Sequence, residues 1–232
     1  RLRWTVSGTT RTRGLSSLGE LVHIVIYLSG APRASLEGLP NFGFMLQPAM
    51  GNRPNLTVTP WAADNGCFST GDKFNLLGFY AFLSRHRASR PTCLFAVAPD
   101  VMADAAATYE RSMPVLPVIR DMGYKAAYVA QDGLESLPVP WDEFDCLFVG
   151  GSTEWKLGEH AEALCHEAKA RGKWVHVGRV NTLTRLWQSR RMGADSVDGT
   201  CLAFGYDANF PKLSRWMFIV NTQWPFARTT AP

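Results

Sequence analysis

The sequence lacks the features that mark membrane and secreted proteins. It contains no run of about 18 apolar residues, so we expect no transmembrane helix and no membrane partner. The apolar segment 21–28 is too short to span a bilayer, and no small-residue cleavage pattern follows it. We interpret this segment as a buried strand rather than a signal peptide.

Cysteine is sparse and scattered. The five cysteines form no Cys-x-x-Cys pair, which suggests reduced thiols in a cytoplasmic setting rather than a disulfide framework. His160, Cys165 and His166 fall on one predicted helix, but the six-residue separation of the two histidines does not place them on one face. We therefore expect no structural zinc and no other metal site.

Charge of one sign is also not in large excess. The 24 basic and 20 acidic residues give a net charge of +4, which permits a nucleic-acid partner without requiring one. With 232 residues, 46% of them hydrophobic, the chain can form one domain of barrel size. We predict a peripheral basic segment over residues 1–20, and a single domain over residues 21–232.

Short apolar runs alternate with helix-like segments along that domain. Continuous apolar runs are typical of parallel strands buried on both faces. The predicted strands are Val22–Leu28, Phe42–Leu46, Leu56–Trp61, Leu94–Ala98, Ala126–Ala130, Cys146–Val149 and Trp174–Val177, with an eighth near Met217–Val220. The predicted helices are Asp72–Arg87, one that begins at Asp104, Glu154–Arg171 and Leu183–Met192. This alternation predicts an α/β fold, and the strand count favours a TIM-like (β/α)8 barrel, reduced or irregular in places.

Polar residues and glycines follow the predicted strands. Asp64, Asp100 and Asp198 each come after a strand-like run, and so do the segments 131–133, 150–152 and 178–181. Each can be explained alone as a turn or a helix cap. Together they predict a site at the carboxyl ends of the strands, where β/α barrels place their active sites. Glycines there would let backbone amides approach a ligand.

The order of these segments resembles that of the tRNA-guanine transglycosylase superfamily. Where the family has Asp-Ser-Gly-Gly-Phe/Tyr, this chain has Asp64-Asn65-Gly66-Cys67-Phe68. The family's base-recognising Asp, Val-Gln-Gly-Gly segment and Gly-Gly turn are matched by Asp100, Val129–Gly133 and Gly150-Gly151. The nucleophile segment, Gly-hydrophobic-Asp-x-Phe-Asp-Cys, is similar to Gly193–Gly199. The resemblance covers roughly residues 22–205.

Within that superfamily the chain is most similar to the phage and bacterial branch that places 7-deazaguanines in DNA. The segments that carry this likeness are 98–101, 131–133 and 176–181. The Cys-x-Cys-x-x-Cys zinc segment of the tRNA enzymes is absent, and so is the Pro-Thr-Arg that follows their nucleophile segment. We expect the protein to act in the cytoplasm, which is that of the host if a phage encodes it.

The resemblance implies a role for each matched residue. Asp198 would be the nucleophile and Asp64 the general acid and base. Asp100 and Gln131 would bind the polar edge of the purine, helped by backbone groups of Gly150 and Gly151. Phe68 would stack on the base. No cofactor is implied.

The resemblance also implies a polymer substrate, which we expect to be DNA, with tRNA as the alternative. The expected phosphate contacts are Arg179, Arg185 and Arg190, although an ion pair would explain Arg179 equally well. Two other classes remain open. One is a non-catalytic barrel that binds nucleic acid or a purine. The other is a metal-dependent hydrolase, for which His176 is the only candidate ligand at a strand end.

Overall fold

The computed structural model describes residues 24–51 and 54–223. Within these residues, eight parallel strands pair in chain order to form a closed barrel. The strands are β1 (Ile26–Ser29), β2 (Phe42–Leu46), β3 (Trp61–Ala63), β4 (Cys93–Val97), β5 (Ala126–Ala130), β6 (Cys146–Val149), β7 (Trp174–Val177) and β8 (Ser196–Gly199). The ring closes where β8 pairs with β1, with Leu28 opposite Asp198. The predicted TIM-like α/β barrel is confirmed.

Helices follow most of the strands on the outside of the barrel. They are α1 (Cys67–Thr70), α2 (Leu76–Arg85), α3 (Ala105–Ser112), α4 (Leu116–Asp121), α5 (Thr153–Lys156), α6 (Glu159–Ala170), α7 (Leu183–Arg191) and α8 (Tyr206–Thr222). The early connections are irregular. A single 3-10 turn, Ala34–Leu36, joins β1 to β2, and the described residues between β2 and β3 contain no α-helix.

Short polar side chains start several helices by accepting the exposed backbone N–H groups of the first turn. Asp104 accepts from the N–H of Ala107 at 2.9 Å and begins α3, as the sequence predicted. Thr182 begins α7 in the same way, by accepting from Arg185 at 3.2 Å. These caps fix where each helix starts relative to the preceding strand end.

Apolar side chains form two layers, one on each side of the strands. The inner cluster fills the barrel and includes Leu28, Met45, Phe95, Val97 and Val129. The larger outer cluster joins the strands to the helices. Because both faces are buried, the strands are continuous apolar runs.

The predicted eighth strand near Met217–Val220 is wrong. These residues belong to α8, where Leu213, Met217 and Val220 are buried at helical spacing. The true eighth strand, Ser196–Gly199, contains two inward-facing polar residues and so lacks an apolar pattern.

Other predicted boundaries also change. Predicted strand Leu56–Trp61 begins at Trp61, and predicted helix Glu154–Arg171 is divided into α5 and α6 at Gly158. Residues 22 and 23 of the first predicted strand, and the predicted peripheral segment 1–20, lie outside the described residues. No helix in the described part of the chain combines the length and the apolar character needed to cross a membrane.

Candidate active site

A pocket of about 200 Å³ lies at the carboxyl ends of β3 to β8. It brings together most of the residues that the sequence singled out, from six different strand ends. Its lining includes Asp64, Phe68, Asp100, Gln131, Gly150, Gly151, Arg179 and Asp198. A larger cleft of about 440 Å³ lies beside Gln47 and Arg85, but none of the described residues that line it carries a carboxylate. We therefore place the candidate active site in the smaller pocket.

Asp64 follows β3 and faces this pocket. Its backbone N–H donates to the carbonyl of Leu46 at 2.7 Å, and its Oδ1 accepts the N–H of Gly66 at 2.9 Å. Burial raises the pKa of Asp64 to about 6, and the nearby carboxylates of Asp198 and Asp100 act in the same direction. A carboxyl group with such a pKa can both donate and accept a proton near neutral pH.

Asp100 is held by two side-chain amides. Its Oδ1 accepts from Asn65 Nδ2 at 3.0 Å, and its Oδ2 accepts from Gln131 Nε2 at 2.7 Å. Burial raises the pKa of Asp100, while these hydrogen bonds act to lower it. Each carboxylate oxygen retains a second lone pair, so Asp100 can still accept hydrogen bonds from a ligand in the pocket.

The two glycines after β6 make room for this network. A Cβ atom at Gly150 would lie 2.7 Å from a methyl carbon of Val129 and 3.0 Å from Nε2 of Gln131. Gly151 has a φ of 68°, which glycine adopts readily. Their N–H groups are already used, that of Gly150 by the carbonyl of Ala130 and that of Gly151 by Gln131 Oε1. The expectation that these amides would be available to a ligand is therefore wrong, although both glycines line the pocket.

Asp198 on β8 is held at both carboxylate oxygens. Its Oδ1 accepts the backbone N–H of Arg179 at 2.9 Å, and its Oδ2 lies 3.1 Å from Nε2 of His176. Arg179 adopts a left-handed backbone with a φ of 60°, a conformation that costs a non-glycine residue roughly 1–2 kcal/mol. This strained residue points its amide at the carboxylate, as strained backbone at functional sites often does.

Asp195, three residues earlier, lies at the opposite end of β8. Its two oxygens accept from Lys169 Nζ at 2.7 Å each, and its Oδ2 also accepts the N–H of Val175. These contacts give Asp195 a structural role, so Asp198 is the carboxylate of this segment that faces the pocket.

Phe68 and Arg179 form one rim of the pocket. The Phe68 side chain is 65% exposed, and the Arg179 guanidinium lies 5.1 Å from the centre of its ring. The guanidinium also donates to the carbonyl of Gly151. An exposed aromatic face at the mouth of a pocket is suited to stacking against a planar ligand.

The predicted phosphate contact Arg190 is corrected by the structure. This side chain is buried between α7 and α8, at 5% exposure, and its Nη1 donates to Asn221 Oδ1 at 3.3 Å. Arg190 is therefore a packing residue and cannot reach a polymer at the pocket. Arg185, on the first turn of α7, is only partly buried and remains a candidate contact.

Two buried residues beside the pocket were not among the predicted site residues. Lys156 on α5 donates from Nζ to the carbonyl of Gly178 at 2.8 Å. Burial lowers the pKa of Lys156 to about 8, and the charges of Arg179 and Arg185 add to that effect. His176 had been considered only as a metal ligand, although a histidine within an apolar strand is a signal for a buried polar contact.

Metal ligands do not cluster in the described residues, where no group of three or more His, Cys, Asp and Glu side chains is placed to hold an ion. The candidate zinc ligands on α6 are also dispersed, since Cys165 is buried and His160 is exposed.

A scan against protein-family models finds no match for this chain, and a search among curated proteins finds none either. The chemistry of the site is therefore argued from its own geometry. The pocket offers two carboxyl groups in different environments, an anchored hydrogen-bond acceptor and an exposed aromatic ring. This arrangement can support nucleophilic attack by one carboxylate and proton transfer by the other.

Proposed function

We propose that this protein is a base-exchange transglycosylase that replaces guanine in DNA with a 7-deazaguanine derivative. The observation that carries the proposal is the convergence of Asp64, Asp100, Gln131 and Asp198 from four strand ends into one pocket. The resemblance to the transglycosylase superfamily selects the same four residues for the nucleophile, the acid and the base-binding groups.

The first half of the reaction breaks the bond between guanine and its sugar. A carboxylate oxygen of Asp198 attacks C1′, the glycosidic C–N bond breaks, and Asp64 gives its proton to the departing guanine. The product is an ester between Asp198 and the sugar, which keeps the DNA strand intact. A target nucleotide in a duplex would have to leave the base stack to enter this pocket.

The second half restores the enzyme. Asp64, now ionised, takes the ring N–H proton of the incoming 7-deazaguanine, whose nitrogen attacks C1′ and displaces Asp198. One proton leaves Asp64 and one returns, so no cofactor or nucleoside triphosphate is consumed. Asp100 binds N–H groups on the polar edge of each base, since both of its oxygens accept hydrogen bonds.

The test supplies labelled 7-deazaguanine together with equal amounts of duplex DNA, single-stranded DNA and tRNA. We expect label in DNA with the wild-type protein and none with Asp198→Asn, because an amide is a poor nucleophile. Asp121→Asn is the matched control, since Asp121 is exposed at the outer end of α4. This variant should exchange like the wild type.

The remaining outcomes separate the alternatives. Label only in tRNA would reject DNA as the substrate and retain base exchange. Binding without exchange, tested with labelled guanine as well, would favour a non-catalytic barrel. Near-wild-type exchange by Asp198→Asn would reject the assigned nucleophile.

A further inference from the structure

A line of hydrogen-bonded side chains runs through the inside of the barrel and ends at Asp198. Trp174 Nε1 donates to Ser196 Oγ at 2.9 Å, and Ser196 Oγ lies 2.8 Å from Nδ1 of His176. Nε2 of His176 then lies 3.1 Å from Asp198 Oδ2. The four residues alternate between β7 and β8, where His176 pairs directly with Ser196.

The chemistry of the two ends sets the proton positions between them. An indole nitrogen can only donate, so Ser196 Oγ accepts from Trp174 and can direct its own hydrogen to His176. A carboxylate can only accept, so the proton of His176 must lie on Nε2, facing Asp198. We assign this tautomer from the hydrogen-bond network, in which every donor points toward Asp198.

Packing prevents the imidazole from leaving this arrangement. His176 has no exposed surface, and its ring centre lies 4.5 Å from that of Phe148 and 5.1 Å from that of Phe95. Both neighbours are apolar rings, so rotating the imidazole would remove its hydrogen bonds without supplying others. A buried polar group without a partner costs about 1–3 kcal/mol.

We propose that His176 is a positioning residue for Asp198, held as the Nε2–H tautomer by Ser196 and Trp174. With the Arg179 amide on Oδ1 and His176 on Oδ2, the carboxylate plane is fixed before a substrate arrives. The role in base exchange rests on the proposed function, and the tautomer does not.

The hydrogen bond from His176 to Asp198 contributes to both steps of the proposed reaction. Asp198 attacks C1′ from a fixed orientation, and the hydrogen bond from Nε2 stabilises the carboxylate when the incoming base displaces it. The imidazole transfers no proton and touches neither base nor sugar. Its removal should therefore change the rate of adduct formation more than the affinity for DNA.

Two variants separate the hydrogen bond from the packing. His176→Phe keeps a ring between Phe95 and Phe148 but removes the donor. It should slow formation of the covalent DNA adduct by about tenfold to a hundredfold, the worth of one hydrogen bond to a charged group. KM for DNA should change by less than about twofold. His176→Gln places an amide N–H near the same position and should recover the rate to within about fivefold of wild type.

His160→Gln, on the exposed face of α6, is the matched control and should behave as wild type. Equal adduct rates for His176→Phe and the wild type would overturn the positioning role. Slow reaction of both His176 variants, with the Gln variant no faster, would also overturn it, because packing alone would then explain the loss.

A second measurement needs no substrate. Long-range ¹H–¹⁵N NMR of the wild-type protein reports which imidazole nitrogen carries the proton, and the His176 signals are identified by their loss in His176→Gln. We expect the proton on Nε2, and a proton on Nδ1 alone would overturn the proposal. If the wild type forms no adduct with any nucleic acid, the proposed function fails, and the tautomer still decides whether His176 holds Asp198.

Discussion

Gln131 fixes the orientation of Asp100 by using both ends of its own amide. Its Oε1 accepts the backbone N–H groups of Ala103 at 2.9 Å and Gly151 at 2.8 Å, and this leaves Nε2 to donate to Asp100. Because two N–H donors face Oε1, the amide cannot be reversed without losing three hydrogen bonds. The carboxylate that we assign to base recognition is therefore preorganised by loops from three neighbouring strands.

Replacing Asp64 should make the protein more stable near neutral pH. The pKa of Asp64 is raised from 3.8 to about 6 in the folded state. The contribution of Asp64 to the free energy of unfolding is therefore fully present below pH 3.8, and it is lost as pH rises through about 6. The free energy of unfolding of Asp64→Asn should exceed that of the wild type by at most on the order of 3 kcal/mol near pH 7.5. This difference should disappear below about pH 4. Urea unfolding across this range measures the difference, and a gain that does not depend on pH would contradict it.

The same pKa predicts the pH dependence of base release. Only protonated Asp64 can donate to the departing guanine, so the rate of adduct formation at low DNA concentration should fall about tenfold per pH unit above about pH 6. Single-turnover adduct formation at several pH values provides the measurement. A flat profile between about pH 6 and 8 would exclude Asp64 as the acid.

Arg185 and Arg190 should respond differently to substitution. Charge reversal at Arg185 is expected to weaken DNA binding and to reduce the slope of log affinity against log salt by about one unit. Arg190→Met should lower the free energy of unfolding and leave that slope unchanged, because Arg190 is buried against Asn221. DNA titrations at several salt concentrations test both, and an unchanged slope for Arg185→Glu would remove it from the interface.

Lys156 should make stability rise with pH in the alkaline range. Its pKa is lowered from 10.5 to about 8 in the folded state, chiefly by burial. Between these values the unfolded chain binds the proton more tightly, so the cost of burying the charge disappears as pH rises. Relative to Lys156→Met, the wild type should gain up to roughly 3 kcal/mol from about pH 7.5 to 10. If the free energy of unfolding changed with pH in the same way for both proteins, the prediction would be contradicted.

Purified protein should contain far less than one zinc per chain, because its cysteine spacing offers no close ligand pair. Elemental analysis before and after treatment with a chelator measures the content. Stoichiometric zinc that resists chelation would contradict the prediction and would direct attention to Cys165 and His166.

The sequence predicted best the elements that the barrel buries on both faces. Ala126–Ala130, Cys146–Val149 and Trp174–Val177 coincide with β5, β6 and β7, since a run of apolar residues is what such strands require. The same apolar pattern does not show which way each side chain points. A strand that is apolar on both faces does not reveal which residues point inward, so the partnership of His176 with Asp198 could not be inferred from periodicity.

Polar strands and buried charges were harder to predict. Asp198 was expected at a strand end, but Ser196–Gly199 was not among the predicted strands, because its inward side chains make hydrogen bonds rather than apolar contacts. Arg190 and Lys156 have the sequence appearance of surface cations, and only tertiary packing decides that they are buried. The pocket residues were easier to identify because they lie at strand ends, and the carboxyl ends of all the parallel strands lie at the same end of the barrel.

The closure of the barrel depends on the strand that carries the proposed nucleophile. Asp198 lies on the strand that pairs with β1, so the ring is completed by residues about 170 positions apart, and Asn221 joins the backbone of Val25 across 196 positions. Until β8 docks, β1 and β7 each have an unpaired edge, and Asp198 lacks the amide and imidazole that orient it. A chain truncated before β8 would thus retain Asp64, Asp100 and Gln131 and lack the proposed nucleophile. The proposed chemistry therefore requires the closed barrel.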